Sequence, residues 1–350
     1  MGYYYDGTRL LSMSDINGKK PEIYLCTGNR TAGKTVYFNR LCVNGFVKNG
    51  RKFMTIARFN YELDNCADKF FKDINGLFFP EYTMISIKRA RGIYHDLYLI
   101  KMGEEKGQHC GYAVALNNAD QIKKMSHLFS DTGCMLFDEF QSETNHYCPD
   151  EVTKLISLHT SVARGQGEMV RYVPLYMVGN PVTMLNPYYI ALGIADRLDE
   201  KTKFLRGNGF VMEQCFNENA ANAQTNSGFN SAFANDKYVA YSSQGIYLND
   251  AKAFIERPAG RNRYLATLRC DGVDYGIRAF PDLGILYCDN RPDETHKNKL
   301  SVTTDDHNIN YVMLKSNELF LAQLRWYFDK GCFRFRDLRS KNAVLKALCY

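Results

Sequence analysis

The sequence predicts an α/β chain: a domain built on a mainly parallel sheet over residues 1–207, a linker over 208–236, and a small α+β domain over 237–350. Three observations predict it. Short apolar runs alternate with stretches of helical spacing through the N-terminal part, the pattern of a parallel sheet covered by helices. One of those runs breaks into a glycine-rich loop, "GNRTAGKT", and then resumes as a segment able to form a helix. Near residue 208 the composition shifts to "NGFVMEQCFNENAANAQTNSGFNSAFAND", rich in asparagine and poor in aliphatic residues, which cannot supply much core.

Taken in order, Ile23–Thr27 reads as a short strand that ends at the glycine-rich loop, and Thr35–Val47 as the helix that follows. "KFMTIAR" (Lys52–Arg58) is a second strand, and "GIYHDLYLIKMG" with "HCGYAVAL" suggests a hairpin insertion. "GCMLFDEF" (Gly133–Phe140) is a continuous apolar run ending in two carboxylates, as in a strand buried on both faces. Asp150–Arg164 has helical spacing, with Val152, Leu155, Ile156 and Leu158 expected as its apolar stripe. "RYVPLYMVGN" (Arg171–Asn180) is strand-like, although Pro174 cannot donate to a central ladder. After the linker, "RYLATLRCDGVDYGIRAF" reads as a hairpin turning at Asp271-Gly272, "LGILYCDN" as a further strand, and Glu318–Leu348 as helix.

Composition narrows the class. Apolar residues at 45% and charged residues at 23% describe an ordinary globular chain of 350 residues, long enough for one or two domains with real cores. No run approaches the roughly 18 uninterrupted apolar residues of a membrane span. The start, "MGYYYDGTRLL", lacks the basic-then-apolar layout of a signal peptide, and Asp6 stands where a myristoylation signal requires Ser or Thr. A cytoplasmic protein without a membrane partner is expected. The 11 cysteines are scattered without a C-x-x-C pair, so free, mostly buried thiols are expected. A net charge of +6 permits a polyanionic partner without requiring one.

The chemistry concentrates in two stretches. Gly28-Asn29-Arg30-Thr31-Ala32-Gly33-Lys34-Thr35 matches G-x-x-x-x-G-K-[ST]. Such a loop turns its N–H groups inward while the next helix aims its positive end at the same point, so it cradles a triphosphate. Gly33 lets the backbone approach phosphate, Lys34 neutralises the β- and γ-phosphates, and the Thr35 hydroxyl binds Mg²⁺. Arg30 is held at the phosphates by the loop itself. Downstream, Asp138 ends a buried strand, where a carboxylate can hold Mg²⁺, and Glu139 beside it can orient and deprotonate water. That pairing points to hydrolysis of a nucleoside triphosphate rather than to a nucleotide kinase. Asn180 is either a sensor of the γ-phosphate or a simple turn residue. Arg164 is either an arginine finger acting on a neighbouring subunit or a surface arginine.

In their order and spacing, "GNRTAGKT", "FMTIARFNYEL", "LFDEFQ", "SVAR", "LNPYY" and "LSVTTDD" resemble the DNA-packaging motor ATPases of small tailed phages of the picovirus group. These are encapsidation proteins related to terminase large subunits, and the resemblance runs from about Gly18 to about residue 338. It implies an ASCE-class P-loop ATPase domain, and ATP and Mg²⁺ as ligands. It also implies a homo-pentameric ring at the portal (connector) vertex of an empty capsid in the host cytoplasm, threading double-stranded DNA. A structural packaging RNA is a further partner it allows. By the same resemblance, Arg30, Lys34 and Thr35 fall on the loop's arginine, phosphate lysine and metal-binding hydroxyl. Asp138 and Glu139 fall on the metal-binding aspartate and catalytic glutamate, and Arg164 on the trans-acting finger. Lys124 falls on a further trans-acting lysine.

For the C-terminal half the resemblance implies an RNase H-like fold without a working nuclease. The half does carry Asp271, Asp274, Asp282, Asp289, Asp305 and Asp306, several in turn contexts, so a terminase that also cuts DNA is the alternative. A DNA-associated ATPase that is not a motor is a third reading. In residues 311–350 basic side chains interleave with Trp326, Tyr327, Phe328, Phe333 and Phe335, which suits either nucleic-acid contact or core.

Overall fold

The structure, a computed structural model, describes residues 4–144, 146–165, 169–183, 186–194, 197–198, 202–233, 239 and 255–349. The chain divides into two compact units, Met1–Val182 with Glu200–Leu248, and Thr183–Asp199 with Asn249–Tyr350. Thr183–Asp199, which carries helix α6 (Pro187–Ala191), therefore belongs to the second unit although it precedes the end of the first. The expected domain start at 237 lies outside the described residues.

Among the described residues the first unit holds nine strands: β1 (Ile23–Gly28), β2 (Lys52–Ala57), β3 (Tyr82–Arg89), β4 (Tyr94–Lys101), β5 (Gln108–Ala115), β6 (Thr132–Asp138), β7 (Leu175–Gly179), β8 (Phe204–Gly207) and β9 (Phe210–Cys215). They form one sheet in the order β3-β4-β5-β2-β6-β7-β1-β9-β8. From β5 to β9 every pairing is parallel; β3, β4 and β8 add antiparallel edges. The hairpin read from the sequence is β4–β5, extended by β3. Pro174 sits just ahead of β7, and its carbonyl accepts from Met135 N–H at 2.8 Å, so the strand starts after the residue that could not donate.

Helices α1 (Thr8–Ser12), α2 (Lys34–Asn49), α3 (Cys66–Phe78), α4 (Ala119–Lys124) and α5 (Glu151–Val162) complete the body of this unit. Phe38, Cys42 and Val43 of α2 and Phe70, Phe71 and Ile74 of α3 pack with Tyr24, Phe53, Leu136 and Val178 of the strands into one core. Helix α2 stops at Gly50, whose φ of 64° only glycine adopts without strain. The stripe of α5 is narrower than expected: Leu155, Leu158 and Val162 are buried, but Ile156 is 60% exposed. Positions i, i+3 and i+7 define the buried line, and Ile156 lies to its side.

The stretch from Asn208 is not the linker the sequence suggested. It opens with β9, which pairs with β1 through six residues and contributes the buried side chains Phe210, Val211 and Met212. The loop-like segment begins only after Cys215, with α7 (Glu218–Thr225) and α8 (Gly228–Ala232). The apolar run of "FVMEQC" is only three residues long, too short to stand out among the asparagines around it.

In the second unit, β10 (Arg263–Cys270), β11 (Val273–Phe280), β12 (Ile285–Asp289), β13 (Lys299–Ser301), β14 (Val312–Met313) and β15 (Phe333–Phe335) form a sheet in the order β14-β13-β10-β11-β12-β15. A meander of three antiparallel strands, β10–β12, is followed by β13 and β14 added in parallel beside β10. That is the RNase H-like order. Asp271 (φ 52°) and Gly272 (φ 76°) make the expected hairpin turn. The C-terminal stretch read as helix is two helices, α9 (Glu318–Asp329) and α10 (Leu338–Cys349), with β15 between them. Phe333 and Phe335 are core, while Trp326 is 56% exposed.

The described cysteines are free thiols, most of them buried. Among the described residues no helix is long and apolar enough to cross a membrane. Close strand approach supplies a test of the sheet. A Cβ on Gly111 in β5 would stand 2.2 Å from the Phe53 carbonyl oxygen of β2. Gly111→Ala is expected to destabilise the chain by about 1–3 kcal/mol, read from its urea midpoint.

Candidate nucleotide-binding site

Parallel pairing delivers the functional residues to one edge. Thr27 of β1 lies opposite Gly179 of β7, and Val178 of β7 opposite Asp138 of β6. The glycine-rich loop, Asn180 and the Asp138-Glu139 pair therefore emerge side by side, at the C-terminal ends where open α/β sheets bind ligands.

The loop runs from Gly28 to Gly33, with Thr31 at φ 60° and Gly33 at φ 90°. Helix α2 begins at Lys34 with no side-chain cap and no acidic residue in its first turn. Its leading N–H groups thus keep their partial positive charge for an anion. Lys34 is buried, and its Nζ donates to the carbonyls of Gly28 and Asn29, each at 2.8 Å, and to Asn180 Oδ1 at 3.4 Å. Asn180 thus meets the lysine where β1 and β7 end. A cleft of ≈ 370 Å³ is lined by Arg30 through Val36, Asp138, Glu139 and Asn180, among others.

The Thr35 hydroxyl donates to the Asp138 carboxylate. Burial, with the Glu139 charge second, pushes the Asp138 pKa up to about 6, against the opposing pull of Thr35 and Lys34. A carboxylate so placed, with a hydroxyl beside it, is a hard-oxygen donor set short of positive charge, which fits Mg²⁺. Glu139 is exposed, has φ 54°, and donates its N–H to Asp138 Oδ1 at 3.0 Å. Its left-handed backbone re-aims the chain at the strand end, so neighbouring carboxylates leave in different directions.

Two loop residues have partners that the motif does not mention. Arg30 forms an ion pair with Glu143 at the mouth of a second cavity of ≈ 240 Å³, which shares Arg30, Glu139 and Asn180 with the first. Asn29 serves the loop's footing: its side chain and the Asn217 backbone exchange two hydrogen bonds of 3.0 Å, tying the loop to the start of α7.

Arg164 and Lys124 are not in this cleft. Arg164 follows α5, is exposed, and donates to Ser126 Oγ at 3.0 Å. The 12 residues of α5, at about 1.5 Å each, carry the chain roughly 18 Å from its start beside Phe140. They end near Thr132, where β6 begins, since Arg171 bonds both Thr132 O and Val162 O. Lys124 is exposed two residues before Ser126, so the two residues share one edge, remote from their own loop.

The sequence reading missed Arg58. It is buried at the end of β2, with Nε on both Glu151 oxygens at 3.1 and 3.0 Å and Nη2 on Phe140 O at 2.7 Å and Glu139 O at 3.3 Å. Its position at the end of a parallel strand beside β6 was the available signal.

In the second unit four of the six candidate aspartates have structural partners, and Asp282 and Asp305 are exposed. Asp306 accepts from the N–H groups of Asp271 and Gly272 at 2.8 Å each and from Thr303. Asp289 accepts from Arg278 at 2.7 Å, Asp274 from Tyr311 at 2.7 Å, and Asp271 pairs with Lys346. Neither β10 nor β13, which pair in parallel, carries a carboxylate; Asp274 lies on β11 and Asp289 on β12.

The sheet order, with β7 interposed between the loop strand and the Asp-Glu strand, defines a P-loop ATPase fold of the additional-strand (ASCE) class, followed by an RNase H-like unit. The podovirus DNA encapsidation protein (Gp16) family matches residues 2–348, and the chain belongs to that family. The DNA packaging protein of Bacillus phage phi29 is 24% identical over 351 residues, spanning 99% of this chain and 96% of the relative. Two solved structures share the fold. The phi29 viral genome packaging motor assembly aligns with a TM-score of 0.58 at 22% identity over 97% of each chain. The Phi-28 gp11 DNA packaging motor aligns with a TM-score of 0.60 at 17% identity over 99% of this chain and 98% of its own.

The buried pair supplies a test. Arg58→Met, leaving Glu151 buried without its counter-charge, is expected to cost about 3–5 kcal/mol in urea unfolding. Adding Glu151→Leu should recover much of that loss.

Proposed function

We propose that the chain is the ATP-hydrolysing subunit of a ring motor that drives double-stranded viral DNA into a preformed capsid. Family membership supplies the task, DNA encapsidation. The observation that carries the mechanism is the separation of parts: Lys34, Thr35, Asp138, Glu139 and Asn180 line one cleft, while Arg164 and Lys124 stand on another edge. Such a subunit needs a neighbour to complete its site, which favours a closed ring; a homo-pentamer on the portal is the assembly we propose. The motor would act in the host cytoplasm at the portal vertex, with a structural packaging RNA as a further partner.

In this mechanism the loop N–H groups and Lys34 hold the β- and γ-phosphates of ATP, and Arg30 leaves Glu143 to follow the γ-phosphate. Thr35 and Asp138 would hold Mg²⁺, which neutralises charge building on the phosphate oxygens. Glu139 takes the proton from the attacking water, Asn180 orients that water beside the γ-phosphate, and the neighbour's Arg164 stabilises the charge that develops. DNA is gripped through backbone phosphates, since a motor must pass every sequence. The engaged carboxylates of the second unit favour contact over cleavage there; a plasmid incubated with the protein and Mn²⁺ should remain unnicked.

Glu139→Gln should bind ATP normally and lower turnover by about 10²–10⁴-fold. Arg164→Ala should be similarly inactive, and mixing the two inactive variants should restore activity, because some interfaces then pair an intact Glu139 with an intact Arg164. Unrestored activity in mixed rings would remove Arg164 from the neighbouring site. Duplex DNA should stimulate the wild-type ATPase, with stimulation falling steeply as salt rises.

A further inference from the structure

The edge that carries Arg164 holds more than a charge. Arg171 ties the far side of the loop between α5 and β7 back to the near side. Its N–H donates to Ala163 O at 2.6 Å, and its guanidinium to Val162 O at 2.6 Å and Thr132 O at 3.1 Å. Between these two tied ends the chain carries both Arg164 and the pair Met169–Val170, which are 95% and 71% exposed. Leu128, two residues after the Ser126 that Arg164 holds, is exposed as well. Adjacent apolar side chains held out in water have a hydration cost that burial would return. Lys123 and Lys124, both exposed at the end of α4, make the same edge basic.

A matching surface stands at the C-terminal end of the sheet. The ≈ 240 Å³ cavity beside the nucleotide cleft is walled by Phe59, Tyr61 and His146. Their rings stack in series, with centroids 5.6 Å apart for Phe59 and Tyr61 and 4.6 Å apart for Phe59 and His146. Tyr61 is 68% exposed, so the stack is open on its outer side. The wall is fixed from behind: His146 N–H donates to Ser142 Oγ at 3.0 Å, and Glu62 accepts from Arg58 N–H at 2.9 Å. The two arginines that reach the cavity are neutralised, Arg58 by Glu151 and Arg30 by Glu143. Glu62 and Glu139 therefore set its sign, which is negative.

We infer that this cavity is the socket for the Met169–Val170 loop of a second copy of the chain. Met169 and Val170 pack on the aromatic stack, and the basic edge beside them faces Glu62. This rests on the ring reading given above. Within one chain loop and socket cannot meet, because the 12 residues of α5 hold them roughly 18 Å apart. The two surfaces are complementary but different, so each chain offers a socket to one neighbour and a loop to the other. Such head-to-tail contact closes into a ring when the rotation allows it. A thioether on aromatic rings and a buried valine supply affinity, while opposite charges set the register of docking. A single exposed arginine supplies little of either.

The test is cross-linking of full-length chains across this contact, joined to a measurement of self-association. Tyr61→Cys and Met169→Cys chains, once mixed, should be coupled by a short bismaleimide into a covalent dimer. Neither variant alone should form that dimer above the wild-type background. In sedimentation, Met169→Ser combined with Val170→Ser should weaken self-association about tenfold or more, and its ATP turnover should recover as protein concentration rises. Arg164→Ala should behave in the opposite way, associating nearly as the wild type does and staying inactive at every concentration. The inference is overturned if the mixed cysteine chains stay uncoupled, or if the double serine variant associates like the wild type, while Glu139→Gln and Arg164→Ala still restore each other. It is equally overturned if Met169→Cys couples to itself, since the contact would then be symmetric. A wild-type chain that stayed monomeric at every concentration, with no restoration on mixing, would remove the ring reading itself, and this one with it.

Discussion

The in-phase parallel pairing of β1, β7 and β6 is the constraint on which everything else in the first unit depends. Side chains in parallel strands have no freedom to choose which end of the sheet they serve; register fixes it. With Thr27 level with Gly179 and Val178 level with Asp138, the loop, the amide and the carboxylates leave the sheet at one level. A slip of one residue in β7 would turn Tyr176 and Val178 out of the α2 side and withdraw Asn180 from Lys34. The strands are buried on both faces, which makes such a slip costly and the site's geometry a by-product of core packing.

Around that frame, charged groups replace apolar ones where the chain must change direction. Arg58 holds the loop after β6 by two carbonyls and α5 by a buried carboxylate, so one side chain ties the end of β2 to a loop and a helix that lie outside the sheet's ladder. Lys34 does the same for the glycine-rich loop, gathering the Gly28 and Asn29 carbonyls around its ammonium. Both cations hold backbone oxygens that the sheet cannot reach.

Legibility in the sequence followed the range of the signal. "GNRTAGKT" and "LFDEF" are local patterns whose chemistry is set by neighbours in the chain, and both occupy the expected strand ends. The nine-stranded order and the parallel placement of β9 beside β1 depend on pairing across nearly 190 positions, which no local pattern carries. Hence β9 was submerged in an asparagine-rich stretch, and β15 in a helical one. Arg58 was hidden for a related reason: an arginine after a strand reads as solvent-facing unless its distant partner Glu151 is known. Asn29 and Arg30, read as phosphate contacts, have partners at 217 and 143 that the motif does not mention.

The backbone at Glu139 has a consequence of its own. A left-handed conformation on a side chain with a Cβ costs roughly 1–2 kcal/mol, and glycine would adopt it freely. At this position, then, folding and the proposed activation of water ask for different residues. Selection for thermal robustness alone would drift toward glycine or asparagine here and lose the carboxylate, so a stability screen of this chain would select against the side chain to which the proposed mechanism gives the water.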